Sequence, residues 1–166
     1  MNVNVSVKQL QHPDFVGVVA DELKKADLTA DALVLEVTES VMMQDMSQST
    51  SALRALKGLG VRIAIDDFGT GYSSLNYLRS FPVDTLKIAR AFVEDLGSSP
   101  EQERLVAAIV RLGATLGLES IAEGVETEAQ RDRLRALRCR YAQGFFYSPP
   151  LPADELAVAL LHTRVA

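Results

Sequence analysis

Soft metal ligands and cross-links are almost absent from this sequence. Cys139 is the single cysteine, His12 and His162 are the only histidines, and there is no tryptophan. One thiol cannot close an intramolecular disulfide, and one thiol with two histidines falls short of a four-ligand zinc site. Long apolar runs are also missing. None approaches the ~20 residues a helix needs to cross a bilayer, and the opening MNVNVSVKQL has neither the basic nor the apolar stretch of a signal peptide. A reducing, cytoplasmic setting without a membrane segment is expected. Positive charge is in deficit too, with 17 Lys and Arg against 22 Asp and Glu in 166 residues, a net charge of −5. That argues against a general electrostatic grip on nucleic acid, which needs a basic excess, but leaves room for a small anion held by local chemistry.

What is present is ordinary globular material, 48% hydrophobic and 23% charged, which excludes a disordered chain. No Gly, Ser or Pro linker divides it, so a single domain over residues 1–166 is expected. Short β-like runs alternate with longer helical ones. Strands are predicted at Val3–Val7, Leu33–Thr38, Val61–Ile65, Thr85–Ala89, Ser120–Ala122 and Ala142–Tyr147. Helices are predicted at Asp14–Ala26, Ser47–Leu59, Ser74–Ser80, Glu101–Leu116, Glu128–Leu137 and Ala153–His162. In the fourth helix Leu105, Ile109, Leu112 and Leu116 recur at helical spacing and are expected to face the core.

Such alternation implies an α/β fold with a mainly parallel sheet covered by helices. An open doubly wound sheet and a closed (β/α) barrel both fit that statement. The strand faces favour the barrel. Asn2, Asn4 and Ser6 share one face of the first strand, and Val34, Glu36 and Thr38 one face of the second. A flat sheet buried on both sides would be apolar on both.

The strand ends carry the chemistry: Asn4, Glu36 with Glu39, Asp66 with Asp67, Lys87, Glu123 with Glu126, and Gln143. In parallel α/β folds these ends lie on one side, and in barrels they meet at one active site. Acidic residues also cap helices, yet all six predicted strands end this way. Converging carboxylates repel unless cations neutralise them, and an all-oxygen set suits Mg2+ or Mn2+. Adjacent Asp66 and Asp67 can reach one site only where the strand turns into the loop Gly69, Thr70, Gly71. Such a pair can serve two metals clamping a phosphodiester, with Lys87 beside the developing charge or orienting the attacking water.

Three other motifs carry no such weight. Asp67, Phe68 and Gly69 spell a kinase metal triplet, but the other kinase motifs are absent. Gly69-Thr70-Gly71 begins like a dinucleotide fingerprint, but position 74 is Ser where the third glycine belongs. Met42, Met43 and Met46 are read as packing residues.

The blocks VNVS at 3–6, LEVTES at 35–40, IDDFGTGYSSL at 65–75, FPVDTLKI at 81–88, IAEGVET at 121–127 and YAQGFFYSPPLP at 141–152 resemble, in order, the EAL family of bacterial cyclic di-GMP phosphodiesterases. The resemblance implies a TIM-like (β/α) barrel in which two divalent metals hydrolyse cyclic di-GMP to linear pGpG. It implies that Asn4, Glu36 and Asp66 bind one metal and Asp66, Asp67 and Glu123 the other. Lys87 would help activate the water, Glu39 would support the loop after Asp67 that carries Gly69, Thr70 and Gly71, and Glu126 and Gln143 would stand at the substrate side. It further implies a homodimer, and a parent protein with upstream sensory or GGDEF-type domains.

Two departures from the family pattern stand out. The signature Glu-Ala-Leu segment, whose glutamate is another ligand of the first metal, is missing, and about six of eight strand-helix units are present, as if the domain were incomplete at its N-terminus. Ala89 replaces the aspartate of the family's Lys-Ile-Asp. Both weaken the metal site, so this chain alone is expected to be weakly active or inactive, and a non-catalytic cyclic di-GMP receptor or protein-interaction module is the alternative.

Overall fold

The computed structural model describes residues 1–70 and 78–156, apart from the side chains of Met43 and Gln44. Among these, six strands form one parallel sheet: β1 (Asn2–Asn4), β2 (Val34–Thr38), β3 (Arg62–Phe68), β4 (Thr85–Ile88), β5 (Glu119–Ala122) and β6 (Tyr141–Ala142). The helices are α1 (Val7–Leu10), α2 (Phe15–Lys25), α3 (Glu39–Gln44), α4 (Met46–Leu59), α5 (Arg90–Val93), α6 (Pro100–Leu116) and α7 (Glu128–Ala136). Strand order in the sheet is β1-β2-β3-β4-β5-β6. A doubly wound sheet reverses its strand order part-way, so this one-directional order decides for a barrel-type winding. No helix among the described residues is long and apolar enough to cross a membrane.

The two faces of the sheet differ as the alternation predicts. Leu35, Val37, Ile63, Ile65, Leu86 and Ile88 are buried in the main core with Leu53 and Leu56 of α4 and Val106 of α6. The other face is concave and polar. Asn2, Val34, Arg62, Ala64, Thr85, Glu119, Ile121 and Tyr141 line a cavity of about 230 Å3 there, and Arg62 and Glu119 form an ion pair across it.

Several predicted elements need correction. The first strand stops at Asn4 because Ser6 begins α1: its side chain accepts from the Gln9 backbone N–H, and Gln9 Oε1 accepts from the Ser6 N–H. That capping box turns Val7 into a helical residue. The sixth strand is Tyr141–Ala142 rather than Ala142–Tyr147, leaving Phe145 and Tyr147 exposed. Short α3 and α5 were not anticipated. The stripe on α6 is slightly rotated: Ile109 is buried and Leu112 and Leu116 pack against the core as predicted, but Leu105 is 42% exposed while Val106, Val110 and Gly113 are buried. Gly113 explains the rotation: a Cβ there would collide with the Ser120 side chain, so the helix approaches β5 along its glycine. The predicted helix Ser74–Ser80 lies mostly outside the described residues. Of the predicted Ala153–His162 helix, residues 153–156 are helical, and the rest of that range lies outside the described residues. Met42 and Met46 pack in or against the core as expected, while the side chain of Met43 lies outside the description.

Candidate active site at the strand ends

Lys87 is the centre of the polar cluster. It sits on β4, is 3% exposed, and points to the concave face because Leu86 and Ile88 on either side of it take the core. Its Nζ lies 2.9 Å from Glu36 Oε1, 2.7 Å from Asp66 Oδ1 and 2.7 Å from Glu123 Oε1. Three strands and the residue that extends a fourth thus deliver one ammonium and three carboxylates to a single point. Glu123 continues the ladder just beyond β5, its N–H donating to Ile88 O at 3.1 Å. Gln143, just beyond β6, donates from Nε2 to Glu123 Oε1 at 2.5 Å. On the β1 side, Asn2 Nδ2 donates to Glu36 Oε1 at 2.7 Å. Asn4 stands in register with Glu36, but the amide bonded to that carboxylate belongs to Asn2. The i, i+2 spacing of the two asparagines on one strand face was the signal that could have found it.

Asp66 and Asp67 reach the site by a different device from the one expected. They lie within β3, not beyond its end. The pairing with β4 runs Ala64 to Thr85 and Ile65 to Leu86, then resumes at Phe68 with Ile88, a one-residue bulge that holds the two aspartates. Asp67 adopts a left-handed backbone, φ 52°. A bulge with a left-handed residue breaks strict alternation, and aspartate is among the few side chains that tolerate that conformation. The turn then closes, with Thr70 Oγ1 donating to Asp67 O at 2.9 Å. Gly71 lies outside the described residues.

The cluster is electrostatically unbalanced, with one cation against the three carboxylates it touches. Burial alone would lower the pKa of Lys87, but its bonds to Asp66, Glu123 and Glu36 outweigh that and hold it above its ordinary 10.5. Burial pushes Glu123 up from 4.5; Lys87 offsets part of that rise, and the charges of Asp66 and Asp67 add to it. A carboxyl whose native pKa is raised stabilises the fold below pH 4.5 and loses that contribution as pH rises through the native value. Glu123→Gln is therefore expected to raise the urea midpoint of the metal-free chain at pH 7, with no gain below pH 4.5. A midpoint at pH 7 lower than that of the unsubstituted chain would contradict this.

Around the cluster, Glu126 pairs with Arg90 at 2.8 Å. Together with Glu123, Gln143, Gly144, Phe145 and neighbouring residues they line an open cleft of about 430 Å3. Glu39, at the start of α3, has both carboxylate oxygens buried with no hydrogen-bond partner among the described residues. No group of three or more His, Cys, Asp or Glu residues among them is arranged to hold a metal ion, since Glu36, Asp66 and Glu123 close on Lys87 instead. The donor chemistry still fits a hard cation: three buried or half-buried carboxylates, an amide and a negative excess.

The profile of the EAL domain family matches residues 1–150. The chain belongs to the EAL domain family. It is 46% identical over 158 residues to MucR of Pseudomonas aeruginosa, a bifunctional diguanylate cyclase/cyclic di-GMP phosphodiesterase, covering 95% of this chain and 23% of that protein. The solved MucR phosphodiesterase in complex with c-di-GMP superposes with a TM-score of 0.89, covering 93% of this chain and 63% of that one. The EAL domain of Mycobacterium smegmatis DcpA gives a TM-score of 0.94 at 45% identity, over 99% of this chain and 74% of that one. A manganese/cy-diGMP complex of Klebsiella pneumoniae BlrP1 gives 0.82 at 38% identity, over 87% of this chain and 37% of that one. The chain spans about a fifth to a quarter of the length of the curated relatives it matches.

Proposed function

We propose that this EAL domain binds divalent cations, Mg2+ or Mn2+, at its strand ends and hydrolyses cyclic di-GMP to linear pGpG. The convergence of Glu36, Asp66 and Glu123 on Lys87 carries this reading, and the manganese/cy-diGMP complex of BlrP1 supports the choice of cation and ligand. Asn4, Glu36 and Asp66 would hold one ion, and Asp66, Asp67 and Glu123 a second. When bound, the ions lower the pKa of water and polarise the phosphate. The chain's own groups supply the rest. Lys87 orients the water and steadies negative charge growing on the phosphate oxygens. Water oxygen joins phosphorus, the 3′ oxygen departs, and the proton released by the water ends on it. Gln143 donates to Glu123 Oε1, the same oxygen that Lys87 contacts, and so fixes that carboxylate, and the cleft with exposed Phe145 offers room for a base beside the reacting phosphate. Glu39 would support the loop carrying Gly69, Thr70 and Gly71, and Glu126 would face substrate.

Ala89, two residues beyond Lys87, would leave the cations weakly held, so turnover below that of relatives with an aspartate there is expected. Among the described residues the outer edges of β1 and β6 pair with no further strand, which favours a homodimer, and a monomeric mass at high concentration in sedimentation would overturn that. MucR's pairing of two activities supports a GGDEF-type domain in the same parent.

A second reading is a receptor that binds cyclic di-GMP without cleaving it. It is favoured by Lys87, which already engages all three carboxylates in ion pairs without a metal. Calorimetry with cyclic di-GMP, with and without Mg2+, followed by product chromatography separates the two. Metal-dependent binding with pGpG formation is the expected result, and stable metal-independent binding without product would establish the receptor.

A further inference from the structure

Helix α5 begins three residues after Lys87 and has only four residues, too few to hold its own position. Its neighbours hold it. Gln102 of α6 donates from Nε2 to Phe92 O at 3.1 Å. The side chain of Gln130 in α7 donates to Glu94 O at 3.2 Å and accepts from the backbone N–H groups of Glu126 and Thr127. Val93 is fully buried in the core. So anchored, α5 presents Phe92 to the turn that follows Asp67. The Cε2–Cζ edge of the ring abuts the bare Cα of Gly69: a Cβ there would stand 2.7 Å from Phe92 Cε2 and 2.9 Å from Cζ. Gly69 is left-handed at φ 95°, and so is Asp67 at φ 52°. Between them Phe68 is buried and paired with Ile88. Glycine adopts that backbone freely, but Asp67, a non-glycine residue beside a buried anchor, persists there only where the surroundings over-determine it. On one side the constraint is the Thr70 bond to Asp67 O. On the other it is the Phe92 ring.

We propose that Phe92 is a positioning residue for Asp67: its ring, seated on Gly69, holds the bulged turn so that the Asp67 carboxylate stays beside Asp66 and Glu123. The link to cation binding rests on the function proposed above; the link to the turn does not. It also follows that α5, held by α6 and α7, ties the ends of β3, β4 and β5 into one unit.

The test compares the unsubstituted chain with Phe92→Ala and Phe92→Leu by amide hydrogen exchange and by Mn2+ titration calorimetry. In Phe92→Ala the amides of residues 68–70 are expected to exchange at least about 10-fold faster while those of Arg62–Ile65 keep their protection. Mn2+ affinity is expected to fall ~10 to 100-fold, the range for a residue that orients a ligand. Phe92→Leu, which still covers Gly69, is expected to restore both to within about 3-fold. Unchanged exchange at residues 68–70, or equal loosening of the whole of β3, would overturn the proposal. If the unsubstituted chain binds no Mn2+, that counts against the proposed function, and the exchange result alone decides the role of Phe92. If Phe92→Ala does not fold, Phe92→Val trims the ring without emptying its place and is read by the same exchange criterion.

Discussion

Lys87→Met is expected to lower the stability of the metal-free chain at neutral pH by about 3–5 kcal/mol, the cost of removing one partner from a buried ionic group. The side chain of Lys87 is 4% exposed and those of Glu36, Asp66 and Glu123 are 7%, 15% and 14% exposed. Methionine fills a similar volume but leaves these carboxylates facing one another without a counter-charge. The pH dependence gives the result its signature. The native pKa of Lys87 is raised, so its stabilisation is present below 10.5 and lost as pH climbs through the native value. The variant has no such alkaline loss. In acid Glu123, whose pKa is raised by burial, takes up a proton, and the difference between the two chains should begin to shrink there. Urea melts of both chains from pH 3 to above pH 11 check all of this. Equal stability at pH 7 would show that the carboxylates are solvated and the ammonium is dispensable.

Asp66→Asn is expected to separate stability from function. Asn keeps the shape of the side chain and still offers an oxygen to Lys87, which retains Glu36 and Glu123. The fold should therefore stay within about 1 kcal/mol of the original, a typical net value for one hydrogen bond. Cation binding should suffer far more, because Asp66 is the carboxylate proposed to serve both ions. Removal of such a ligand should exceed the ~10 to 100-fold loss typical of residues that only orient ligands. Mn2+ calorimetry and pGpG formation are expected to fall together by at least that factor, with the urea midpoint almost unmoved. A variant that binds Mn2+ as tightly as the unsubstituted chain would remove Asp66 from the cation site.

The parts legible in the sequence were those governed by simple periods. Alternation along β2 put Glu36 on one face and Leu35 and Val37 on the other, and the structure keeps that division. The same alternation brought Lys87 to the concave side. What failed depended on a single residue breaking a period. Ser6 with Gln9 is a recognisable capping signal, yet the valines at 3, 5 and 7 spoke louder for a strand. The four apolar positions of α6 gave the right helix and nearly the right face: Ile109, Leu112 and Leu116 meet the core, but contact through Gly113 turns Leu105 out to solvent. The bulge at Asp66 and Asp67 was illegible, since only pairing with β4 reveals which residue is extra. The contact between Phe92 and Gly69 was equally hidden, joining a short helix to a turn with which it shares no local pattern.

The consecutive strand order also bears on how the chain reaches this structure. Each strand pairs with the one made just before it and the one made just after, and no pairing spans more of the chain than Leu86 with Ser120. Loop closure is the entropic toll on parallel sheets and the usual reason they form slowly. Here the toll is divided into steps of one strand-helix unit each. Such a sheet can grow from β1 toward β6 as the polypeptide leaves the ribosome. Lys87 would meet Glu36 and Asp66 first, and the ionic cluster would close only when Glu123 arrives.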